Sequence, residues 1–463
     1  MSEHVKYLLS EDDIPRTWYN LAADLPDPAA PRHPGTGADI TVDDLLAIMP
    51  EALARQELSR EREIGIPDGV RDVYRQWRPS PLYRARRLER ALDTPARIYY
   101  KYEGVSPSGS HKPNTAVAQA YYNRRAGITR LATETGAGQW GSSLALAGAL
   151  FGLDVDVYMV RVSYEQKPYR RMLMETYGAR CVPSPSPETA AGRAVLAADP
   201  DSPGSLGIAV SEAVEVAGAD PGTSYAGGSV LNHVLLHQSV IGQEAIAQFA
   251  LADDNPDVVI GCAGGGSNLG GLAFPFLGRK LRGGPEVRII AAEPAACPTL
   301  TRGTRAYDFA DATGLTPLLR MHTLGHGFVP PPLHAGGLRY HGIAPLVSAA
   351  VAAGLVEPVA VAQTDSFAAG VRFARAEGIV PAPESAHAVE VAVREASRCR
   401  EEGVGRTILF GLSGHGHFDL GAYERHLAGA LRDEPHDEAG VRAALTAVPG
   451  LAAATDLAGL ADV

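Results

Sequence analysis

The segment Gly109-Ser110-His111-Lys112-Pro113-Asn114-Thr115-Ala116 sets one lysine between a Gly-Ser turn and a helix start. No residue from Pro113 to Asn123 is charged, so Lys112 is not one cation of a solvated face. A lone lysine at such a junction, beside a histidine and an asparagine, can serve as an amine nucleophile that forms a Schiff base. The plainer reading of the octapeptide is an exposed lysine at a helix N-terminus. Residues elsewhere in the chain decide between the two.

Two glycine turns follow apolar strands. The first is Glu134-Thr135-Gly136-Ala137-Gly138-Gln139-Trp140-Gly141. Its glycines match the G-x-G-x-x-G spacing of a dinucleotide fingerprint, after a strand and before a helix. The next strand argues against a dinucleotide, because its acids, Asp154 and Asp156, stand at its start and not at its far end. A glutamate entering the turn is also an odd neighbour for a pyrophosphate. A nest of backbone N–H groups for a small carboxylate, with Glu134 beside it, explains the turn better. The second turn is Gly261-Cys262-Ala263-Gly264-Gly265-Gly266-Ser267-Asn268. Without Gly-Lys-Ser/Thr it is no P-loop, but successive N–H groups at a helix N-terminus suit a single phosphate.

Together, an amine, an acid, a carboxylate nest and a one-phosphate cup fit pyridoxal phosphate with an amino-acid substrate. Ser413, just after the apolar run 407–410, is a candidate partner for the cofactor's ring nitrogen. His233 and His237 have a zinc-compatible spacing, but no third ligand or base accompanies them, so they read as a packed helix face and no metal site is expected. The arginines of 84–90 are interrupted by Leu88 and Glu89 and read as a solvated face.

These residues need a scaffold of alternating strands and helices. Strands are predicted at 97–102, 131–134, 155–160, 257–263 and 287–293, with helices over 115–125, 142–151 and 170–177. Such alternation indicates parallel sheets built of βαβ units. A proline-rich extension occupies 1–77 and holds a helix capped by Thr41. Residues 184–225 read as a loop-rich crossing between lobes, and 433–463 as an acidic, alanine-rich tail. With 463 residues, two lobes are expected. The net charge of −11 argues against a nucleic-acid partner. The chain shows no secretory signal, and its apolar stretch 343–356 is too short to span a membrane. Cys181, Cys262, Cys297 and Cys399 are widely spaced, which suits a reducing cytoplasm.

In order along the chain, Gly-Ser-His-Lys-Pro-Asn-Thr-Ala, Glu-Thr-Gly-Ala-Gly-Gln-Trp-Gly, Val-Ser-Tyr-Glu-Gln-Lys-Pro-Tyr-Arg-Arg, Gly-Gly-Gly-Ser-Asn, Pro-Ala-Pro-Glu-Ser-Ala-His-Ala and Leu-Ser-Gly-His-Gly resemble the tryptophan synthase beta chain family, in its stand-alone type 2 branch. The resemblance covers about residues 78–420. It implies a fold type II pyridoxal phosphate enzyme, an α/β protein of two lobes, each a mostly parallel sheet flanked by helices. The smaller, mobile lobe would span 113–230, and the larger 78–112 with 231–432. Lys112 would carry the cofactor and remove the substrate's α-proton. Glu134 would expel the serine hydroxyl and assist indole attack on the resulting aminoacrylate. The backbone of Thr135, Gly136, Ala137, Gly138, Gln139 and Trp140 would bind the substrate carboxylate. His111, Gly264, Gly265, Gly266, Ser267 and Asn268 would hold the phosphate, Ser413 would face the ring nitrogen, and Glu384 would lie near the ring. The resemblance also implies a homodimer and a monovalent cation, K+ or Na+. Stand-alone members commonly do without an alpha subunit, and the sequence leaves that partner open. One position departs: Gly327 stands where the family carries an aspartate associated with closure over the substrate. That leaves three chemistries open at this point: replacement of the serine hydroxyl by indole, deamination of serine or threonine to a keto acid, or replacement by another nucleophile; a catalytically silent binding homologue is the remaining reading, against which the intact lysine, acid and phosphate cup argue.

Overall fold

The computed structural model describes residues 4–451. Its larger sheet has seven strands, in the order Lys6–Tyr7, Leu82–Arg84, Arg97–Tyr102, Thr407–Leu412, Val258–Cys262, Arg288–Pro294 and Glu357–Val361. The last five are mutually parallel, and the first two run antiparallel at one edge. Both faces are buried, as continuous apolar strands require. Tyr99, Val259, Ile289 and Leu409 enter the core on one side. Ile98, Tyr100, Ile260, Ile290, Ile408 and Phe410 enter the core on the other.

A second sheet is wholly parallel, in the order Arg180–Ser184, Asp154–Val160, Arg130–Thr135 and Thr223–Tyr225. Two parallel sheets with helical cover agree with the expected fold class. The expectation of a loop-rich crossing over 184–225 is corrected. That stretch forms helices Ala190–Ala198 and Leu206–Ala219 and the edge strand Thr223–Tyr225. Its Ser, Pro and Gly punctuate the helix starts: Thr189 accepts the N–H of Gly192, and Ser205 that of Ile208. The strand pair Thr304–Phe309 with Leu318–Thr323 was also not anticipated.

The N-terminal extension is bound tightly to the rest of the molecule. Lys6–Tyr7 completes the large sheet, and Trp18 is fully buried against His237. Helix Glu51–Leu58 docks on helix Asn232–Gln238. There Glu57 accepts from His233 Nδ1 at 2.7 Å, while Gln56 Oε1 meets His237 Nε2 at 2.8 Å. In the tail, helix Glu438–Leu445 packs Val441 and Leu445 against Cys297, Leu324 and Phe328. The remainder of the tail, 452–463, lies outside the described residues. Among the described residues no helix is long and apolar enough to cross a membrane.

Candidate active site

Three parallel strands end side by side, and the loops leaving their C-terminal ends meet, as expected for a ligand site in a parallel sheet. Strand Arg97–Tyr102 leads into the loop to Lys112, strand Thr407–Leu412 to Ser413, and strand Val258–Cys262 to the glycine turn. Two of these loops are tied directly. His111 N–H donates to the Ser413 carbonyl at 2.9 Å, and His415 N–H to the Gly109 carbonyl at 3.1 Å.

Lys112 caps helix Pro113–Arg125, with Pro113 in the first turn where a missing N–H costs nothing. Beneath it, Asn114 donates to Glu103 and Gln238 and accepts from Arg78, within a buried network completed by Lys101 and Glu244. The lysine's Nζ donates to the Gly228 carbonyl at 2.8 Å. The N–H of that same residue points to Glu134 Oε1 at 3.4 Å, so one glycine touches both the amine and the acid. A side chain at Gly228 would run into the Trp140 ring. Sequence reasoning missed Gly228; the doublet Gly227-Gly228 before Ser229 was its only signal.

Burial moves the two groups in opposite directions. It lowers the Lys112 amine to about 8, against the pull of Glu134 and Glu384. It raises Glu134 to about 7, against its hydrogen bonds and the Lys112 charge. An amine and an acid that both change protonation near neutrality are suited to proton transfer. Glu134 Oε2 is buried and makes no hydrogen bond of ordinary geometry, with the Tyr225 hydroxyl as its nearby polar neighbour.

Glu134 lines an apolar cavity together with Leu206, Val210, Tyr225, Val230, Leu319 and Tyr340, and with Ile40, Leu45, Ile48 and Met49 from the N-terminal extension. Glu57 is the other carboxylate on this lining. Its oxygens are occupied by the N–H groups of Asn232 and His233 and by the His233 ring. Of the two carboxylates on this lining, Glu134 is thus the one left able to act on a molecule in the cavity. The part played by the extension was not legible, because Ile48 and Met49 lie at a break between helices where no periodicity shows.

The two glycine turns offer backbone donors of the kinds that the cofactor and its substrate need. Helices Ser267–Leu281 and Gln139–Phe151 both start from left-handed glycines, Gly266 at φ 98° and Gly138 at φ 91°. In the first turn the N–H groups of residues 264–268 meet no protein acceptor, and a Cβ at Gly264 would stand 2.7 Å from the Gly337 carbonyl. Four or five orphan donors at a helix N-terminus fit a phosphate. Beside them His111 Nε2 lies 3.0 Å from Ser267 Oγ, and burial, helped by the Lys112 charge, lowers this imidazole to about 3 and keeps it neutral. Asn268 turns its side chain away, donating to Cys262 Sγ at 3.4 Å, and contributes to the cup through its backbone.

In the second turn the N–H groups of Gly136, Ala137, Gln139 and Trp140 are free of protein acceptors. Gly138 N–H is engaged by Thr135 Oγ1 at 3.2 Å, which removes it from the set able to hold a carboxylate. Glu384 spans the region, with Oε2 accepting from Gln139 Nε2 at 3.0 Å and Oε1 from Gly337 N–H at 2.9 Å. Ser413 Oγ lies 2.7 Å from Ser385 Oγ. Gly327 is exposed, and nothing lies within 4 Å of where its Cβ would stand. Arg170 is buried elsewhere, near Asp419 at 3.7 Å and against the Phe418 ring.

The family described as "Pyridoxal-phosphate dependent enzyme" matches residues 73–414. A tryptophan synthase beta chain 2 from Aquifex aeolicus is 58% identical over 92% of this chain and 100% of its own. The protein of that name from Methanosarcina acetivorans is 56% identical over 93% of this chain and 97% of its own. The one from Thermotoga maritima is 58% identical over 90% and 98%. Among solved structures, a fungal L-serine ammonia-lyase from Rhizomucor miehei superposes with a TM-score of 0.56 at 16% identity, covering 76% of this chain and 98% of its own. A threonine deaminase from Solanum lycopersicum gives 0.56 at 18%, covering 75% and 87%. At such identities these two speak to the fold alone. The chain belongs to the pyridoxal-phosphate dependent enzymes and, within them, to the tryptophan synthase beta chain 2 family.

Proposed function

We propose that this protein is a pyridoxal phosphate-dependent lyase that replaces the hydroxyl of L-serine with indole to give L-tryptophan. One observation carries the reading: Lys112 and Glu134 flank Gly228, and Glu134 lines an apolar cavity. The names of the relatives agree with it. When bound, pyridoxal phosphate supplies the electron sink for losing the α-proton and the β-hydroxyl. The N–H groups of residues 264–268, with His111 and Ser267, would hold its phosphate; Lys112 would anchor it, Ser413 would serve its ring nitrogen, and Glu384 would lie toward its ring.

The free N–H groups of Gly136, Ala137, Gln139 and Trp140 orient the serine carboxylate. Lys112 takes the proton from the serine α-carbon. Glu134, protonated near neutral pH, gives its proton to the departing hydroxyl, which leaves as water. Now a carboxylate, it accepts the proton that indole loses as the new carbon–carbon bond forms, and Lys112 returns its proton to the α-carbon. The cavity keeps water away and binds a flat apolar ring through area alone. Residues 113–230 act as the lobe that closes over the substrate. We place the enzyme in the cytoplasm as a homodimer that uses K+ or Na+; its four free cysteines support a reducing setting.

The test is purified holoenzyme with serine and indole, products read by mass spectrometry. Tryptophan is the expected product. Pyruvate without tryptophan would overturn the reading.

A further inference from the structure

Strands Thr304–Phe309 and Leu318–Thr323 are joined by a loop, 310–317, that belongs to no sheet. Ala310, Thr316 and Pro317 line the apolar cavity, while Leu315 at the tip is 51% exposed. On this side the loop is what separates the cavity from solvent. Its shape is set by one fully buried carboxylate, Asp311. Oδ1 accepts the Thr316 N–H at 2.9 Å and the Thr316 hydroxyl at 2.8 Å. Oδ2 accepts the Thr313 N–H at 3.0 Å, the Thr313 hydroxyl at 3.0 Å and the Leu315 N–H at 3.1 Å. Although burial pushes this carboxyl up, the Leu315 and Thr316 N–H groups hold it below the usual carboxylate range. An ionised carboxylate can only accept, so the direction of each of these bonds is settled.

A further donor comes from the other lobe. Ser211 Oγ, in helix Leu206–Ala219, lies 2.9 Å from Asp311 Oδ2. One turn earlier, the Gly207 carbonyl accepts the Ala312 N–H at 3.1 Å. A Cβ at Gly207 would stand 3.3 Å from that same nitrogen, so the glycine admits the loop. The helix held in this way carries Leu206 and Val210, which line the same cavity.

We infer that Asp311 is a positioning residue: it fixes the 310–317 loop as a wall of the cavity, clasps that wall to helix Leu206–Ala219, and so governs whether dehydrated serine meets indole or water. The inference rests on the proposed reading of the cavity as the place that indole occupies. Serine that has lost its hydroxyl as water has two exits. Indole adds through a new carbon–carbon bond and gives tryptophan, or one water is taken up again and pyruvate and ammonia leave. Hydrogen bonds to an ionised acceptor are about twice as strong as neutral ones, so removing the charge loosens the loop and the clasp together. A loosened wall admits water and holds indole less well. None of the bonds to Asp311 involves Lys112 or the carboxylate nest at 135–140, so the binding of serine is left alone.

The experiment uses holoenzyme with serine and indole, with tryptophan and pyruvate quantified in the same samples. Asp311→Asn keeps the size but removes the charge and one acceptor oxygen. It is expected to lower the ratio of tryptophan to pyruvate roughly tenfold, the effect of about one hydrogen bond to a charged group. The indole KM should rise by a similar factor while the serine KM stays within about twofold. Ser211→Ala removes the bond between the lobes and leaves the loop's own bonds, and should move both readouts the same way by roughly threefold. It carries the test if Asp311→Asn does not fold. Less total product at an unchanged ratio and an unchanged indole KM is what a purely structural role gives, and it overturns the inference. Wild type that yields pyruvate without tryptophan overturns the reading of the cavity, and the inference with it. Wild type that makes tryptophan, with the ratio unmoved in both variants, overturns the inference alone.

Discussion

Lys112 at about 8 and Glu134 at about 7 hold complementary charge states in a narrow pH window. Only the neutral amine attacks an aldehyde, so capture of free cofactor should accelerate as pH rises through about 8, well below the range of an ordinary lysine. Stopped-flow absorbance of apoenzyme mixed with pyridoxal phosphate checks this, and a midpoint above 10 would contradict the depressed value. Glu134→Gln keeps the shape but cannot move a proton. It should lower kcat by about 10²–10⁴ while cofactor still binds, measured by steady-state kinetics beside cofactor absorbance. Lys112 and Glu134 were legible because each breaks its local context, a charge in an uncharged run and an acid entering a glycine turn. Gly228 was not, since its part comes from what chain folding brings against it and it does not stand out by type.

At the scale of elements, parallel strands announced themselves through unbroken apolar runs such as Val258-Val259-Ile260, buried on both faces. Helix Leu206–Ala219 hid because small and apolar residues lie on nearly every side of it and no polar stripe marks its turns, yet Leu206 and Val210 line the cavity. The least legible element is the extension, whose helix Glu51–Leu58 is held by His233 and His237, the pair with zinc-like spacing. His237 in turn meets Thr115 at 3.0 Å, so the extension is linked through one imidazole to the helix that starts at Lys112. Met49 stands on the cavity wall ahead of that helix. Met49→Ala should widen the cavity and improve kcat/KM for ring-substituted indoles relative to indole by roughly tenfold. The same change should cost about 2–5 kcal/mol of stability. Competition between paired acceptors, with a denaturant melt alongside, measures both.

Across the whole molecule, buried polar contacts join the lobes that hold the two sheets. Gln139 reaches Glu384, and Lys167 donates to Asp419 Oδ1 at 2.5 Å and to the His334 carbonyl at 3.0 Å. Although burial pushes the Asp419 carboxyl up, Lys167 and Arg170 hold it below the usual carboxylate range. Asp419 thus ties helix Pro168–Thr176 to the large lobe through Arg170. Gly327 is exposed and faces open space, with a backbone that any residue can adopt. A carboxylate added there should change stability by no more than about 0.5 kcal/mol, as at other open surface positions. That makes Gly327→Asp a test of chemistry separate from folding. If a second acid guards the reacting serine when the lobes close, the variant should raise the ratio of tryptophan to pyruvate at an unchanged melting temperature. If Glu134 and Asp419 already suffice, the ratio will stay at the wild-type value, and control of the reaction in this chain lies wholly with groups the structure buries.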